Sequence, residues 1–236
     1  MVDDDMPVEV IDDTPPTVTP RTPWFRRRGT LVGIAVALAA VIAALVFTNG
    51  RADQKAVDAS QSVPSLTIQQ YIKDNGITST PVRRGAPGAP LIGMALPPDW
   101  SGLGSDTPPW SYGAVGWDSA PDPNDPPTIV VLLSKLSGNA DPAKVLDYAP
   151  NELQNLPDYE PVAGPNRSNL SGFDAVELAG RYMRDGEERT IGQMTFVIPS
   201  GSDLYVLQIN AEAPNSDAEA LMFATGTIDA RTVINP

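Results

Sequence analysis

One apolar run near the N-terminus limits how this chain can fold more than any other feature. The run from Leu31 to Phe47 contains seventeen consecutive apolar residues, and no charged residue occurs between Gly29 and Gly50. As a helix rising about 1.5 Å per residue, residues 29–50 reach roughly 33 Å, enough to cross a hydrocarbon core of about 30 Å. A buried core helix of this length normally keeps one polar face. We therefore predict a transmembrane helix over residues 29–50.

The residues around the run indicate an uncleaved anchor rather than a cleaved signal peptide. The 28 residues before it include six acidic residues, whereas the leading region of a signal peptide is short and positive. Four arginines precede the run, and only Arg51 and Lys55 follow it closely. The excess of positive charge places the N-terminus in the cytoplasm. We predict a single-pass plasma-membrane protein whose C-terminal domain is periplasmic or extracellular.

Composition divides the rest of the chain into three parts. Residues 1–28 mix acids, prolines and threonines and lack the apolar content for a core, so we predict a disordered cytoplasmic tail. Residues 51–64 are polar and read as a linker. Residues 65–236 contain apolar segments separated by Pro/Gly-rich loops, which predicts an extracytoplasmic globular domain.

Apolar periodicity within residues 65–236 predicts helices and strands in a definite order. The segment Thr128–Leu133 is a β-branched run typical of a buried strand, and Asp185-Gly186 predicts a hairpin turn. Asp141-Pro142 begins a helix that Pro150 should interrupt. The order is helix, two or three strands, helix, three strands, helix. This order predicts an α+β domain, with helices packed on a mainly antiparallel sheet.

The last predicted helix begins near Ser216, at a capping-box pattern. Its apolar spacing predicts a core face formed by Ala220, Phe223 and Ala224, with Leu221 beside them.

The composition excludes several classes of chemistry. The chain has no Cys and no His, which excludes thiolate metal sites, imidazole ligands and the usual Ser-His or Cys-His catalysis. Its formal net charge of −13 is the reverse of a nucleic-acid-binding footprint. No phosphate-binding glycine loop is present. We expect no cofactor, no metal, no nucleic-acid partner and no enzymatic activity.

Aromatic residues are concentrated in the loops after the first predicted strand. This group consists of Trp100, Trp110, Tyr112 and Trp117. Tryptophan is over-represented in binding patches, so these four residues are the predicted ligand- or partner-binding site. The alternative is that they fasten a loop-rich edge of the sheet to the core.

Several segments in the same order along the chain resemble the LpqN/LpqT family of mycobacterial envelope lipoproteins. The longest is Thr128–Glu160. The others are Leu66–Ile72 with Gly76-Ile77, Leu96–Trp100, Leu170–Phe173, Arg189–Thr195 with Val197–Pro199, and Leu204–Gln208. The resemblance covers roughly residues 65–235.

The resemblance implies a fold similar to Mog1 and the photosystem protein PsbP, and a location in the cell envelope. Members of the family are not known as enzymes. They are associated with the handling of cell-wall lipids, including partnership with MmpL-type exporters of trehalose mycolates, and some are secreted antigens. Because this chain has no cysteine to carry a lipid, the predicted transmembrane helix takes the place of that anchor.

The sequence therefore predicts a non-enzymatic, membrane-anchored binding or accessory protein of the mycobacterial envelope. It would assist lipid transport, of the trehalose mycolate type, or envelope assembly. Its partners would be an envelope lipid or glycolipid, held in a groove between sheet and helices, or a membrane transport protein. The alternatives are a structural subunit of a membrane complex and a surface antigen without a ligand; a hydrolase is disfavoured by the missing histidine.

Overall fold

The computed structural model describes residues 65–236. The predicted tail (1–28), transmembrane helix (29–50) and linker (51–64) lie outside the described residues. Within 65–236, every helix is too short or too polar to cross a membrane.

Residues 65–236 form ten strands and four helices. The strands are β1 (Thr78–Pro81), β2 (Leu91–Gly93), β3 (Trp100–Gly102), β4 (Gly113–Trp117), β5 (Thr128–Ser137), β6 (Glu160–Leu170), β7 (Phe173–Arg184), β8 (Glu187–Ser200), β9 (Asp203–Pro214) and β10 (Val233–Asn235). The helices are α1 (Ile68–Asp74), α2 (Pro142–Tyr148), α3 (Pro150–Gln154) and α4 (Ala218–Arg231).

Eight of these strands form one antiparallel sheet. Their order is β3-β4-β5-β9-β8-β7-β6. Strand β1 pairs with the last four residues of β5, beyond the residues that pair with β4. Strands β2 and β10 form a separate antiparallel ribbon. The hairpin between β7 and β8 turns at Asp185 and Gly186, which both have positive φ, as a tight two-residue turn requires. The predicted hairpin is confirmed.

Helices cover both faces of the sheet, and the two faces differ. The face covered by α4 and the β2–β10 ribbon is called the single-helix face. There, α4 packs Leu221, Ala224 and Ile228 onto a core that includes Leu207 and Ile209. The face covered by α1, α2 and α3 is called the three-helix face.

The three-helix face is built from short helices whose ends the sequence marks clearly. Helix α1 begins after Thr67, whose side chain accepts a hydrogen bond from Gln70 N at 3.3 Å. Asp141 caps α2 in the same way through Ala143 N at 2.9 Å. Pro150 lacks a backbone N–H, and α3 begins there as a separate helix, so the predicted interruption is confirmed.

The architecture confirms the predicted α+β domain with helices on an antiparallel sheet. The predicted core face of the last helix is confirmed at Leu221 and Ala224, but Ala220 is only half-buried and Phe223 is wrong. Phe223 is 61% exposed, and the buried residues of α4 are Leu221, Ala224 and Ile228. Helix α4 contacts the sheet through a narrow stripe of residues, so apolar residues beside that stripe remain exposed to solvent.

Candidate functional site

A row of small residues crosses four strands on the single-helix face. Ala163 on β6 pairs with Ala179 on β7, which pairs with Gly192 on β8, which pairs with Ala211 on β9. Directly paired residues of an antiparallel sheet point to the same face. Since none of the four side chains is larger than a methyl group, the sheet surface is depressed along this line.

Helix α4 passes over this depression without filling it. Thr225 and Ile228 face it from the helix, and a cavity of about 180 Å³ remains between them and the strands, open on one side. We call this cavity the α4 groove. It is lined by Ala163, Asn166, Glu177, Leu178, Ala179, Gly192, Gln193, Met194, Ile209, Ala211, Thr225 and Ile228.

The size and lining of the α4 groove suit an apolar group. An engineered apolar cavity of about 150 Å³ in another protein stays dry and binds benzene. The α4 groove is slightly larger and has room for a segment of about six carbon atoms. A longer chain would leave through the open side.

The α4 groove has free space beside the backbone of Gly192. A Cβ atom added to Gly192 meets no atom nearer than the Leu178 carbonyl oxygen at 3.9 Å, which is ordinary van der Waals contact. A side chain at this position therefore enters the groove and not the packed core.

One end of the α4 groove is polar. Asn166 and Glu177 are paired across β6 and β7 in the row next to the small residues. Burial raises the pKa of the Glu177 carboxyl, and the nearby charge of Asp229 on α4 raises it further. The groove therefore combines an apolar floor with a polar end formed by Asn166 and Glu177.

Other depressions and charged groups offer weaker sites. A second cavity, of about 370 Å³, lies beside α2 and is lined by both charged and apolar residues. Its arginine, Arg167, already forms an ion pair with Asp147. Among residues 65–236, no group of three or more acidic side chains is close enough to hold a metal ion.

The three-helix face carries a buried polar network away from the groove. Glu152 of α3 is 8% exposed, and its Oε2 accepts hydrogen bonds from Gln208 Nε2 at 2.9 Å and Gln193 Nε2 at 3.3 Å. Burial raises the pKa of Glu152 to about 7, against the two hydrogen bonds, which lower it.

Ionic contacts extend this network toward the end of β9. Glu212 Oε1 accepts from Tyr182 Oη at 2.8 Å and from Arg184 Nη1 and Arg189 Nε at 2.5 Å each. Arg189 also forms an ion pair with Asp125, from the proline-rich loop before β5. Each charged group in this part of the network faces an opposite charge, which is the arrangement of a structural core.

The four predicted aromatic residues are divided between the faces. Trp100, Tyr112 and Trp117 belong to the single-helix core, where Trp100 pairs with Trp117 and the Tyr112 hydroxyl accepts from Ile92 N at 3.2 Å. Trp110 packs on the other face, against a cluster that includes Val130 and Leu132. Trp100 and Tyr112 are more than nine-tenths buried. The structure does not gather the four into one surface, and their contact with a ligand stays a prediction.

The groove residues were absent from the sequence-based site. They come from four strands and one helix, and only the register of the sheet places them together. The available signal was the alternation of small residues in β7, with Ala175 and Ala179 on either side of Glu177.

Comparison with known proteins gives consistent matches over the described residues. The profile of a family described as "Probable lipoprotein LpqN" matches residues 64–235. "Lipoprotein LpqN" of Mycobacterium tuberculosis is 46% identical over 173 residues, which are 73% of this chain and 75% of that protein. A "Proline-rich 28 kDa antigen homolog" of Mycobacterium leprae is 23% identical over 48% of this chain and 46% of its own length.

A solved structure gives the same result for the fold. It is described as the crystal structure of LpqN involved in cell envelope biogenesis of Mycobacterium tuberculosis, and it matches with a TM-score of 0.70 at 45% identity. The match covers 74% of this chain and all of the crystallised chain. The corresponding domain of that relative therefore folds without any additional segment.

Proposed function

The chain belongs to the LpqN lipoprotein family, and on this premise we propose that it is a non-enzymatic, membrane-anchored binding protein of the mycobacterial cell envelope. It holds the apolar chain of an envelope lipid in the α4 groove and assists the transport or assembly of that lipid. The observation that carries this proposal is the open, mostly apolar cavity over the row of small residues.

We also propose that the protein is attached to the membrane as its sequence predicts. Family relatives are described as lipoproteins, whereas this sequence has no cysteine to which a lipid can be attached. The helix of residues 29–50 anchors the protein instead, with the N-terminus in the cytoplasm and residues 65–236 outside. In this arrangement residues 65–236 are exposed to envelope lipids and membrane transport proteins on the outer side of the plasma membrane.

The expected affinity follows from the size of the groove. Each buried methylene group contributes about 0.8 kcal/mol, so six contribute about 5 kcal/mol, from which the cost of association is subtracted. A chain longer than the groove gains little further affinity, since its remaining methylene groups stay in water. Affinity should therefore rise about fourfold per methylene and then level off near six to eight carbons.

The experiment uses a fragment of residues 60–236 and a series of alkyl glucosides from butyl to decyl, each below its micelle concentration, in isothermal titration calorimetry. The variant Gly192→Val fills the α4 groove, and we expect it to bind octyl glucoside at least 10-fold more weakly. The matched control is Gly113→Val on β4, where an added Cβ atom also meets nothing within 4 Å but which does not line the groove.

Two results would reject the groove as the binding site. One is an affinity that does not depend on chain length. The other is equal binding by Gly192→Val and Gly113→Val, with both variants shown to be folded by circular dichroism. In full-length protein solubilised from membranes, lipid mass spectrometry should recover fewer co-purified lipids with Gly192→Val than with Gly113→Val.

A further inference from the structure

Helix α4 carries few charged residues on the side that faces solvent. Its buried residues form one stripe along the sheet, and 3.6 residues per turn place a second stripe on the opposite side. The residues of this second stripe are all exposed: Glu219, Met222, Phe223, Gly226 and Ala230. A surface helix of a globular domain normally carries charged and polar residues there. Here only Glu219 is charged, and Met222 and Phe223 are 60% and 61% exposed.

The β2–β10 ribbon adds to this apolar surface. Only Thr232 separates α4 from β10 in the chain. Ile92 and Ile234 pair with each other and are buried in the core. Leu91 and Val233 alternate with them, point to solvent, and are 55% and 54% exposed. We call the exposed stripe of α4 together with Leu91 and Val233 the outer apolar face.

Three arginines without an ion-pair partner flank the ribbon. Arg83 and Arg84 lie in the loop that leads into β2, and two successive turns over residues 83–89 keep this loop compact. Arg231 is the last residue of α4, two positions before Val233. All three are exposed, and none forms an ion pair with another residue between 65 and 236. Guanidinium groups bind phosphate through paired hydrogen bonds, so these side chains match the phosphates of lipids.

The length of the linker allows any side of the domain to reach the membrane. Residues 51–64 separate the predicted transmembrane helix from Ser65 and, fully extended, reach at most about 48 Å. Strand β7 has 12 residues and measures roughly 40 Å, which is less than this reach. A tether of this length keeps the lipid surface at an effective concentration in the mM range, so a weak contact is sufficient.

We propose that the outer apolar face binds the surface of a phospholipid bilayer, with Met222 and Phe223 at the boundary between head groups and acyl chains and the three arginines on lipid phosphates. Amphipathic helices that lie in the membrane interface bind in this way. The inference rests on the proposed membrane attachment for the nearness of the bilayer, and it does not depend on the α4 groove. Because the groove lies beneath α4, this contact brings it within about one helix diameter, roughly 10 Å, of the bilayer.

The charges of the chain favour a bilayer over a second copy as the occupant. Pairing two copies through this face would place six arginines in one interface with only two exposed acids, the two copies of Glu219. The formal net charge of −13 does not prevent binding to a bilayer, since charges more than about 8 Å from its surface are largely screened at physiological salt.

Vesicle flotation of the fragment of residues 60–236 measures the contact. The vesicles contain phosphatidylcholine alone or with about 30% phosphatidylglycerol, which supplies negative charge. We expect half of the wild-type fragment to bind the anionic vesicles at about 1 mM lipid, some 10-fold weaker than a single myristoyl chain. Raising the salt from about 0.15 M to 0.5 M should weaken this binding.

Apolar substitutions test the insertion. Met222→Ala combined with Phe223→Ala should weaken binding to both kinds of vesicle at least 10-fold, because less apolar surface leaves water. The matched control combines Leu66→Ala with Val162→Ala, which shortens two exposed apolar side chains outside the outer apolar face. The control should bind within 2-fold of the wild type.

Charge substitutions test the arginines. Arg83→Gln combined with Arg84→Gln should weaken binding to anionic vesicles about 10-fold and change binding to phosphatidylcholine vesicles no more than 2-fold. Lys73→Gln combined with Lys144→Gln removes the same charge from helices α1 and α2 and should change neither.

A fluorescent label locates the contact, since the chain has no cysteine of its own. Gly226→Cys and Lys144→Cys each carry an environment-sensitive dye, and an added Cβ atom at Gly226 meets nothing within 4 Å. Vesicles should shift the emission to the blue at position 226 and leave it unchanged at position 144.

Three results would overturn the proposal. The first is no binding up to about 10 mM lipid, and the second is an equal loss in the Met222/Phe223 variant and its control. The third is a blue shift at position 226 that rises with protein concentration without vesicles, which would assign the face to a second copy. The α4 groove is tested separately, since Gly192→Val should leave vesicle binding within 2-fold and the Met222/Phe223 variant should leave octyl glucoside binding within 2-fold.

Discussion

The two faces of the sheet bury their side chains in opposite ways. On the three-helix face, three short helices close over a polar and ionic network in which Glu152, Arg189 and Glu212 are almost fully buried. On the single-helix face, α4 and the β2–β10 ribbon cover an apolar core, and an open cavity of about 180 Å³ remains beneath α4. One face therefore contains a buried polar and ionic network beside its apolar contacts, whereas the apolar core of the other face leaves a cavity unfilled.

The difference arises from the same strands. Along β8, Gln193 and Thr195 point to the three-helix face, while Gly192 and Met194 point to the other. A single alternation of polar and small residues thus builds a rigid interior on one side and a groove on the other. Substitutions that act on one face should leave the other unchanged.

Breaking the ionic network should have the largest effect. Arg189→Ala removes one of two cations bound to Glu212 and leaves Asp125 with a weaker partner, at a cost of about 3–5 kcal/mol in the free energy of unfolding. Urea denaturation measures this cost. The control Arg167→Ala breaks an exposed ion pair with Asp147 and should cost less than about 1 kcal/mol. Equal costs would show that the network does not stabilise this face.

The pH dependence of stability tests Glu152. The pKa of Glu152 is about 7 in the folded protein, whereas the ordinary value of 4.5 applies in the unfolded chain. Between these two pH values the folded state therefore holds a proton that the unfolded state has lost. The free energy of unfolding therefore falls by about 3 kcal/mol in total as the pH rises from 4.5 to 7, and this contribution is constant above pH 7.

The variant Glu152→Gln isolates this contribution. The difference in unfolding free energy between wild type and variant should change by about 3 kcal/mol across that pH range. The control Glu160→Gln, whose side chain is 70% exposed, should give a constant difference. A constant difference for Glu152→Gln as well would mean that Glu152 is ionised in the folded protein.

Two glycines on neighbouring strands compare the packing of the faces directly. A Cβ atom added to Gly180 on β7 lies 2.3 Å from the Tyr159 ring on the three-helix face, whereas one added to Gly192 meets nothing nearer than 3.9 Å. We expect Gly180→Ala to cost about 1–3 kcal/mol by overpacking. Gly192→Ala should change stability by no more than about 0.5 kcal/mol, measured by thermal or urea unfolding. A larger cost for Gly192→Ala would contradict an open groove.

The smallest effect is expected on the outer flank of α4. Phe223 is 61% exposed, so Phe223→Ala should change the unfolding free energy by less than about 0.5 kcal/mol. Leu221→Ala, on the buried stripe of the same helix, should cost about 2–5 kcal/mol. If both substitutions lower the unfolding free energy by a similar amount, Phe223 belongs to the core face, as the sequence pattern predicts.

Much of the fold could be predicted because its elements carry local signals. Pro150, Asp141 and the Asp185-Gly186 turn act through backbone geometry at their own positions, and the structure has the expected breaks and turns there. Strand β6 gave no such signal, since Pro161 and Pro165 argue against a central strand. An edge strand has one side free of ladder hydrogen bonds and accepts both prolines.

The candidate site could not be predicted in the same way. The four aromatic residues were selected by their residue type. Residue type does not determine which face of a sheet a side chain occupies, and Trp110 lies on the face opposite the other three. The α4 groove depends on Ala163, Ala179, Gly192 and Ala211 being in register across four strands. Register is a property of the assembled sheet, and it cannot be predicted from the small residues of a single strand.

The most direct test of the central claim is to locate a bound alkyl chain by nuclear Overhauser effects in the fragment of residues 60–236. With labelled methyl groups of alanine, methionine and isoleucine, labelled tryptophan and tyrosine rings, and saturating octyl glucoside, we predict contacts from the chain methylenes to the methyl groups of Ala179, Met194 and Ile228. Gly192→Val should abolish these contacts. Contacts to Trp100, Tyr112 or Trp117 in their place would contradict the α4 groove as the binding site and support the aromatic residues that the sequence singled out.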